Sequence, residues 1–147
     1  MQIRIARPAD VPSLFDVRTS VRENHQSVED LARIGVTPET VATMLDGEGR
    51  GWVAEKNGRI VAFSMADAAQ ATIFAMFVQP GYEGKGLGRA LMDEAEKWLF
   101  ARGCDEIWLL TDRNPRVRAN GFYQHLGWRN DGVQEDGQVR YTKRREP

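Results

Sequence analysis

Apolar residues fall along this chain in short runs and stripes whose spacing predicts alternating strands and helices. Ile3 and Ile5 alternate with polar neighbours between Gln2 and Arg7, the period of a half-buried strand, and Pro8 ends it. Val11, Leu14, Val17 and Val21 then recur at three- and four-residue steps with Phe15 on the same side, a helical pattern for which Asp10 is the expected N-cap. Ser20 to His25 is polar and reads either as a solvated loop or as a lining of a nearby pocket. Thr37-Pro38-Glu39 announces a short second helix with Thr37 as cap and Val41, Met44 and Leu45 inward.

Gly51 to Glu55 and Ile60 to Met65 read as strands joined at Asn57-Gly58, the strongest short hairpin signal. A loop over Asp67 to Gln70 leads to the apolar run Ala71 to Val78, a third antiparallel strand closed by Pro80 and Gly81. Leu87, Ala90, Leu91, Ala95, Trp98 and Leu99 mark the inner face of a long helix, for which Gly103 is a fitting stop. Ile107 to Leu110 is a buried strand, and Asn114-Pro115 can start a helix carrying Ala119, Phe122, Tyr123 and Leu126. Trp128 to Val133 and Val139 to Thr142 pair around Asp136-Gly137.

Between the third strand and the long helix lies Glu83-Gly84-Lys85-Gly86-Leu87-Gly88-Arg89. Glycines at 84, 86 and 88 remove every second side chain where the first amides of a helix lack intrahelical acceptors. A diphosphate suits that place, with Lys85 and Arg89 to add charge; the other reading is a tight turn and nothing more. The dinucleotide fingerprint fails because residue 89 is arginine, and the P-loop fails because Lys85 precedes Gly86 where Ser or Thr is required.

Composition narrows the field. The 147 residues suit one domain, 1–147, with no linker or repeat to divide it, and 41% hydrophobic and 28% charged residues are an ordinary globular balance. A net charge of −1 gives nucleic acid no electrostatic support, and no apolar run is of membrane-spanning length. We therefore expect no nucleic-acid or membrane partner and a cytoplasmic location. The lone Cys104 forms no internal disulfide and is read as a structural thiol, and His25 and His125 lack metal-type spacing, so no metal is expected.

Two stretches together resemble the GNAT superfamily of N-acetyltransferases. The glycine turn is similar to that superfamily's motif [RQ]-x-x-G-x-[GA], with Gly86 and Gly88 at the small positions and Glu83 where Arg or Gln is usual. Ala119-Asn120-Gly121-Phe122-Tyr123-Gln124-His125-Leu126-Gly127-Trp128 matches its second motif, Ala-x-x-Phe-Tyr-x-x-x-Gly-[Phe/Trp], and follows about 35 residues later.

The resemblance implies the GNAT fold, an α/β arrangement with a mixed, mostly antiparallel sheet of about six or seven strands, about four helices and two splayed parallel strands at its centre. It implies an acetyl-coenzyme A-dependent N-acetyltransferase acting on a primary amine of a small molecule or protein, by direct attack in a ternary complex. The alternative is an acyl-coenzyme A binding module without turnover. Coenzyme A would lie along Met76, Phe77 and Val78, with its pyrophosphate on Gly84, Lys85, Gly86, Leu87, Gly88 and Arg89 and its pantetheine near Asn114 and Tyr123. Arg116 and Arg118 could meet its 3′-phosphate or remain solvated.

Tyr123 is the expected general acid, and the Val78 N–H would polarise the thioester carbonyl. Arg22, Glu23, Asn24 and Phe74 are the expected acceptor pocket, with Phe77 beside Phe74 either on the pocket floor or in the core. The strand Ala71 to Val78 has no ionisable side chain to act as base, so deprotonation through water is the default, with Glu23 or Asp67 as remote candidates. The resemblance also admits a homodimer.

Overall fold

The computed structural model describes residues 1–22, 25–112 and 118–146. Its elements in chain order are β1 (Gln2–Ile5), α1 (Val11–Ser20), α2 (Val28–Arg33), α3 (Pro38–Asp46), β2 (Gly49–Lys56), β3 (Arg59–Asp67), β4 (Thr72–Val78), α4 (Leu87–Ala101), β5 (Glu106–Asp112), α5 (Arg118–His125), β6 (Arg129–Val133) and β7 (Gln138–Arg144). The seven strands form one sheet in the order β1-β2-β3-β4-β5-β7-β6, antiparallel except between β4 and β5.

Local chemistry explains the meander β2-β3-β4. Asn57 and Gly58 sit at φ 53° and 77°, so both central residues of the turn are left-handed, the geometry that matches the twist of a two-residue hairpin. Lys56 accordingly faces Arg59, and the hairpin continues to Gly49 opposite Asp67.

Helices cover both faces of this sheet. On one face α4 buries Leu87, Leu91, Met92, Ala95 and Leu99, each no more than 5% exposed, against Trp52, Ile73, Ile107 and Leu109. Each large side chain of that stripe contributes about 1.5–3 kcal/mol before its ordering entropy is set against it. The buried Ser64 hydroxyl donates to the Leu91 carbonyl at 3.1 Å and ties the helix to β3. On the other face α1 and α3 bring Leu14, Val17, Val41, Met44 and Leu45 onto Val53, Phe63 and Met65.

Two local expectations change. Asp10 does not cap α1: it belongs to a 3-10 turn, Pro8–Asp10, with helical φ and ψ and no capping bond into the helix. Its carboxylate turns back to accept from the Arg7 N–H at 2.8 Å and from the Arg4 guanidinium at 2.8 and 3.0 Å, because a paired cation outcompetes a solvated helix amide. Helix α2 joins the expected helices. Ser27 accepts from the Asp30 N–H at 3.1 Å while Asp30 accepts from the Ser27 N–H at 3.0 Å, a reciprocal cap whose Ser-x-x-Asp signature stands in the sequence. Thr37 caps α3 as expected, accepting from the Thr40 N–H at 3.2 Å.

Candidate active site

The centre of the sheet opens between its parallel strands. Thr72 and Trp108 are the one aligned pair of β4 and β5 among the described residues, held by the Thr72 hydroxyl donating to the Trp108 carbonyl at 2.7 Å. The Gln79 N–H donates to the Val61 carbonyl at 2.8 Å, which fixes the alternation along β4. Phe77 and Ala75 therefore direct their peptide groups at β3, while Met76 and Val78 present theirs at the opposite edge, toward the gap. Within the expected backbone run Met76 to Val78, the peptide groups of Phe77 serve the sheet, while its ring packs with the α1 core and lies on the lining of the cavity described below.

A bulge re-aims the side chains of β4. Met65 pairs Ala75 but Ala66 pairs Ile73, so Phe74 is the extra residue and the alternation of faces breaks there. Ile73, Met76 and Val78 join the α4 core, Ala75 and Phe77 the α1 core, and Phe74 is left 44% exposed.

At the end of β4 the chain enters the glycine turn. Gly84 and Gly86 sit at φ 74° and 79°, where a side chain is strained, and a Cβ on either would meet no protein atom within 4 Å. Gly86 is the N-cap of α4, and the Ala90 N–H to Gly86 carbonyl bond at 3.1 Å is the first turn of the helix. The amides of Leu87, Gly88 and Arg89 therefore have no partner four residues back, a donor set that suits a bound oxyanion such as a diphosphate. Gly88 has a different reason to be glycine: a Cβ there would lie 3.2 Å from Phe122 Cζ and 3.4 Å from Met76 Cε.

Glu83, unusual at its position, folds back on the turn, where its carboxylate accepts from the Gly81 N–H at 2.9 Å. Lys85 does not line the cavity; its ammonium stands 5.8 Å from the centre of the Tyr82 ring.

Tyr123 comes to the same place from α5. Its ring packs edge-on against Phe122 at 5.2 Å and Trp128 at 6.3 Å, and tilted against Tyr141 at 5.9 Å. The residue is 7% exposed, and its hydroxyl has no hydrogen-bond partner among the described residues. Burial pushes the phenol well above its ordinary value of about 10, so it holds its proton throughout the neutral range.

These parts share one cavity of about 1070 Å³. One end is walled by Met76, Val78, Gly84, Gly86, Leu87, Gly88, Arg89 and Tyr123, the other by α1, the turn after it, and the segment from α2 into α3. Arg22 and Phe74 line it as expected, while Glu23, Asn24, Asn114 and Arg116 lie outside the described residues. Asp67 is not on the lining; its carboxylate accepts from the Ala69 N–H at 2.9 Å in the loop after β3.

Two lining residues were not expected there: Phe15, which the pattern places on the apolar side of α1, and Arg18, which it does not single out. The Arg18 guanidinium lies 4.3 Å above the Phe77 ring, and burial lowers its pKa from the ordinary arginine value. A signal existed: position 18 follows Leu14 by four residues on the apolar stripe of α1, where a cation is out of pattern.

Known proteins carry the same architecture. The sequence profile of the acetyltransferase (GNAT) family matches residues 12–128. A mycothiol acetyltransferase of Beutenbergia cavernae is 44% identical over 62 residues, which are 42% of this chain and 20% of that protein's length. Among solved structures, the PaiA N-acetyltransferase of Thermoplasma acidophilum in complex with coenzyme A superposes with a TM-score of 0.82 at 20% identity, covering 99% of this chain and all of that one. An aminoglycoside 6′-N-acetyltransferase complexed with coenzyme A gives 0.78 at 20% identity, covering 100% and 98%. At these identities the structural likeness is one of fold.

Proposed function

The chain belongs to the GNAT acetyltransferase family, and on that premise we propose that it transfers an acetyl group from acetyl-coenzyme A to a primary amine, both substrates held together in the cavity. The observation that carries this reading is the opening of the sheet beyond Thr72 and Trp108, onto which the free edge of β4, the first amides of α4 and Tyr123 all converge.

In this reading the amides of Leu87, Gly88 and Arg89, with the Arg89 guanidinium, hold the diphosphate of the cosubstrate, while the unpaired edge at Met76 and Val78 aligns its arm. The Val78 N–H polarises the thioester carbonyl. The acceptor nitrogen attacks that carbon, a C–N bond forms and the C–S bond breaks. Tyr123 gives its proton to the departing thiolate, and the proton lost by the nitrogen passes to water. A phenol that burial keeps protonated suits the donor's task and not the base's.

No described residue of β4 supplies a base, because Thr72 to Val78 carries no ionisable side chain. The acceptor must then offer a neutral amine at working pH, which favours an amine of depressed pKa over a lysine-like one near 10.4, neutral in about one molecule per thousand at pH 7. The proposed compartment is the cytoplasm, Cys104 forming no disulfide framework.

The test is thiol release from acetyl-coenzyme A across a panel of primary amines, with direct binding measured alongside. Wild type is expected to turn over, and Tyr123→Phe to lose about 100-fold in kcat while binding acetyl-coenzyme A within about threefold of wild type. Binding without turnover by any amine would replace the enzyme with an acyl-coenzyme A binding module.

A further inference from the structure

Large apolar side chains left in solvent gather at one place. Seven stay exposed among the described residues, and three of them, Ile34, Phe74 and Leu110, line the cavity that also holds the glycine turn and Tyr123. They come from separate parts of the chain, the end of α2, the bulge in β4 and the strand β5.

Backbone geometry holds each of them there. Phe74 is the extra residue of the bulge, so its ring leaves both cores and meets the cavity. Leu109 belongs to the α4 core, and the alternation of β5 sends Leu110 to the other face of the sheet. Helix α2 ends in a Schellman stop: the Val36 N–H donates to the Leu31 carbonyl at 2.9 Å, and the N–H of Gly35, at φ 85°, donates to the Ala32 carbonyl at 3.0 Å. That closure fixes Leu31, Ile34 and Val36 as an apolar corner of the cavity.

Resting on the acetyltransferase reading, we propose that the acceptor is a primary amine carried on an apolar body about the size of one aromatic ring, seated against Phe74, Leu110 and the corner formed by Leu31, Ile34 and Val36. Single exposed apolar residues are ordinary, whereas a set drawn from distant segments onto one concave wall marks a place where a ligand buries apolar surface. A ring can pack offset or edge-on against Phe74, and the aliphatic neighbours complete the contact. The occupant is the acceptor and not the cosubstrate, whose diphosphate and arm are taken up elsewhere, by the first amides of α4 and the edge of β4 at Met76 and Val78.

Four monoamines decide the matter: ethylamine, 3-methylbutylamine, 2-phenylethylamine, and 2-(2-aminoethoxy)ethanol as a long but polar counterpart. Each carries a single amine, so differences among them report the body and not the charge. Each is titrated into the free protein and into its coenzyme A complex, then assayed with acetyl-coenzyme A. Affinity and kcat/KM are expected to rise from ethylamine through 3-methylbutylamine to 2-phenylethylamine by at least about tenfold, a difference of about 1.4 kcal/mol, with the polar amine no better than ethylamine.

Phe74→Ala should lower both quantities for 2-phenylethylamine about tenfold and change them for ethylamine by less than about twofold, while Phe74→Leu, which keeps an apolar group, loses no more than about threefold. Ile34→Ser, at a position 65% exposed on a separate segment, lowers them for 2-phenylethylamine about threefold without touching the core. Equal binding along the series, preference for the polar amine, no binding of 2-phenylethylamine, or an apolar preference that Phe74→Ala and Ile34→Ser both leave intact overturns the proposal. Failure to bind acetyl-coenzyme A overturns the acetyltransferase reading instead, and titration of the series into the free protein still decides the character of the wall.

Discussion

The wall formed by the glycine turn and the end of β4 offers peptide groups to a ligand, whereas the wall formed by α1 to α3 offers side chains. In the first, the identities that matter are those that permit a backbone shape: left-handed Gly84 and Gly86, and a Gly88 that lets α4 approach Phe122 and Met76. In the second, the identities that matter are the groups themselves, Arg18, Arg22 and Phe15. A backbone site tolerates few sequences and binds one chemistry, while a side-chain site can change its ligand by single substitutions on an unchanged frame.

The sharpest way to break this contrast is at Gly86. Gly86→Glu places a side chain at φ 79°, a strain of about 1–2 kcal/mol, and a negative charge among amides suited to an anion. Acetyl-coenzyme A affinity is expected to fall at least about 100-fold in calorimetric titration, with the protein still folded by circular dichroism. Lys85→Ala, which removes a nearby positive charge but no lining group, should change the same affinity by less than about threefold. Equal losses would mean that side-chain charge, and not the backbone, holds the diphosphate.

The same distinction explains what could be read from the sequence. The strand, glycine turn and helix were legible because periodicity and missing side chains are local properties, and the hairpin at Asn57-Gly58 because its turn geometry demands those residues. The two motifs carried with them the mixed sheet and its central parallel pair. The bulge at Phe74 was not legible, since it exists only in the register of β4 against β3. Asp10 read as a cap because capping is local, while the partner that claims it, Arg4, comes from a neighbouring strand through packing. Arg18 was hidden for the opposite reason: the spacing of Val11, Leu14 and Val17 predicts its helix, but only the tertiary structure lays its guanidinium on Phe77.

The backbone wall also depends on a buried polar knot that the acceptor wall does not share. Glu96, 8% exposed on α4, accepts from Trp128 Nε1 at 3.1 Å and from Lys143 Nζ at 2.7 Å, and the same ammonium donates to the Leu126 carbonyl at 3.0 Å. One carboxylate thus joins the helix that begins at the glycine turn to the end of the segment that carries Tyr123. Glu96→Ala leaves a shielded ammonium and an indole N–H without it and is expected to cost about 2–3 kcal/mol. The thermal midpoint should fall by roughly 5–10 °C. Glu96→Gln, which keeps an acceptor for the indole, should lose less. A midpoint unchanged in Glu96→Ala would show that the two helices are locked by apolar packing alone.

The smallest expected effect lies on the other wall, where Arg4 and Asp10 fix the turn that leads into α1 and hence the position of Arg18. Hydrogen bonding from Arg4, ahead of the Arg7 amide, holds the Asp10 carboxyl below its ordinary range. The folded protein therefore releases a proton that the unfolded chain keeps up to about pH 3.9. The pair's contribution is complete above that value and disappears as pH falls through the lower folded value. Asp10→Asn should accordingly be less stable than wild type by about 1 kcal/mol at pH 7, a gap that closes in urea titrations as the pH is lowered through the folded value. A gap of the same size at both pH values would assign the loss to the shape of the Pro8–Asp10 turn and not to its charge. Whichever holds, acetyl-coenzyme A affinity should not move, because the backbone wall is built on α4 and β4, neither of which this pair touches.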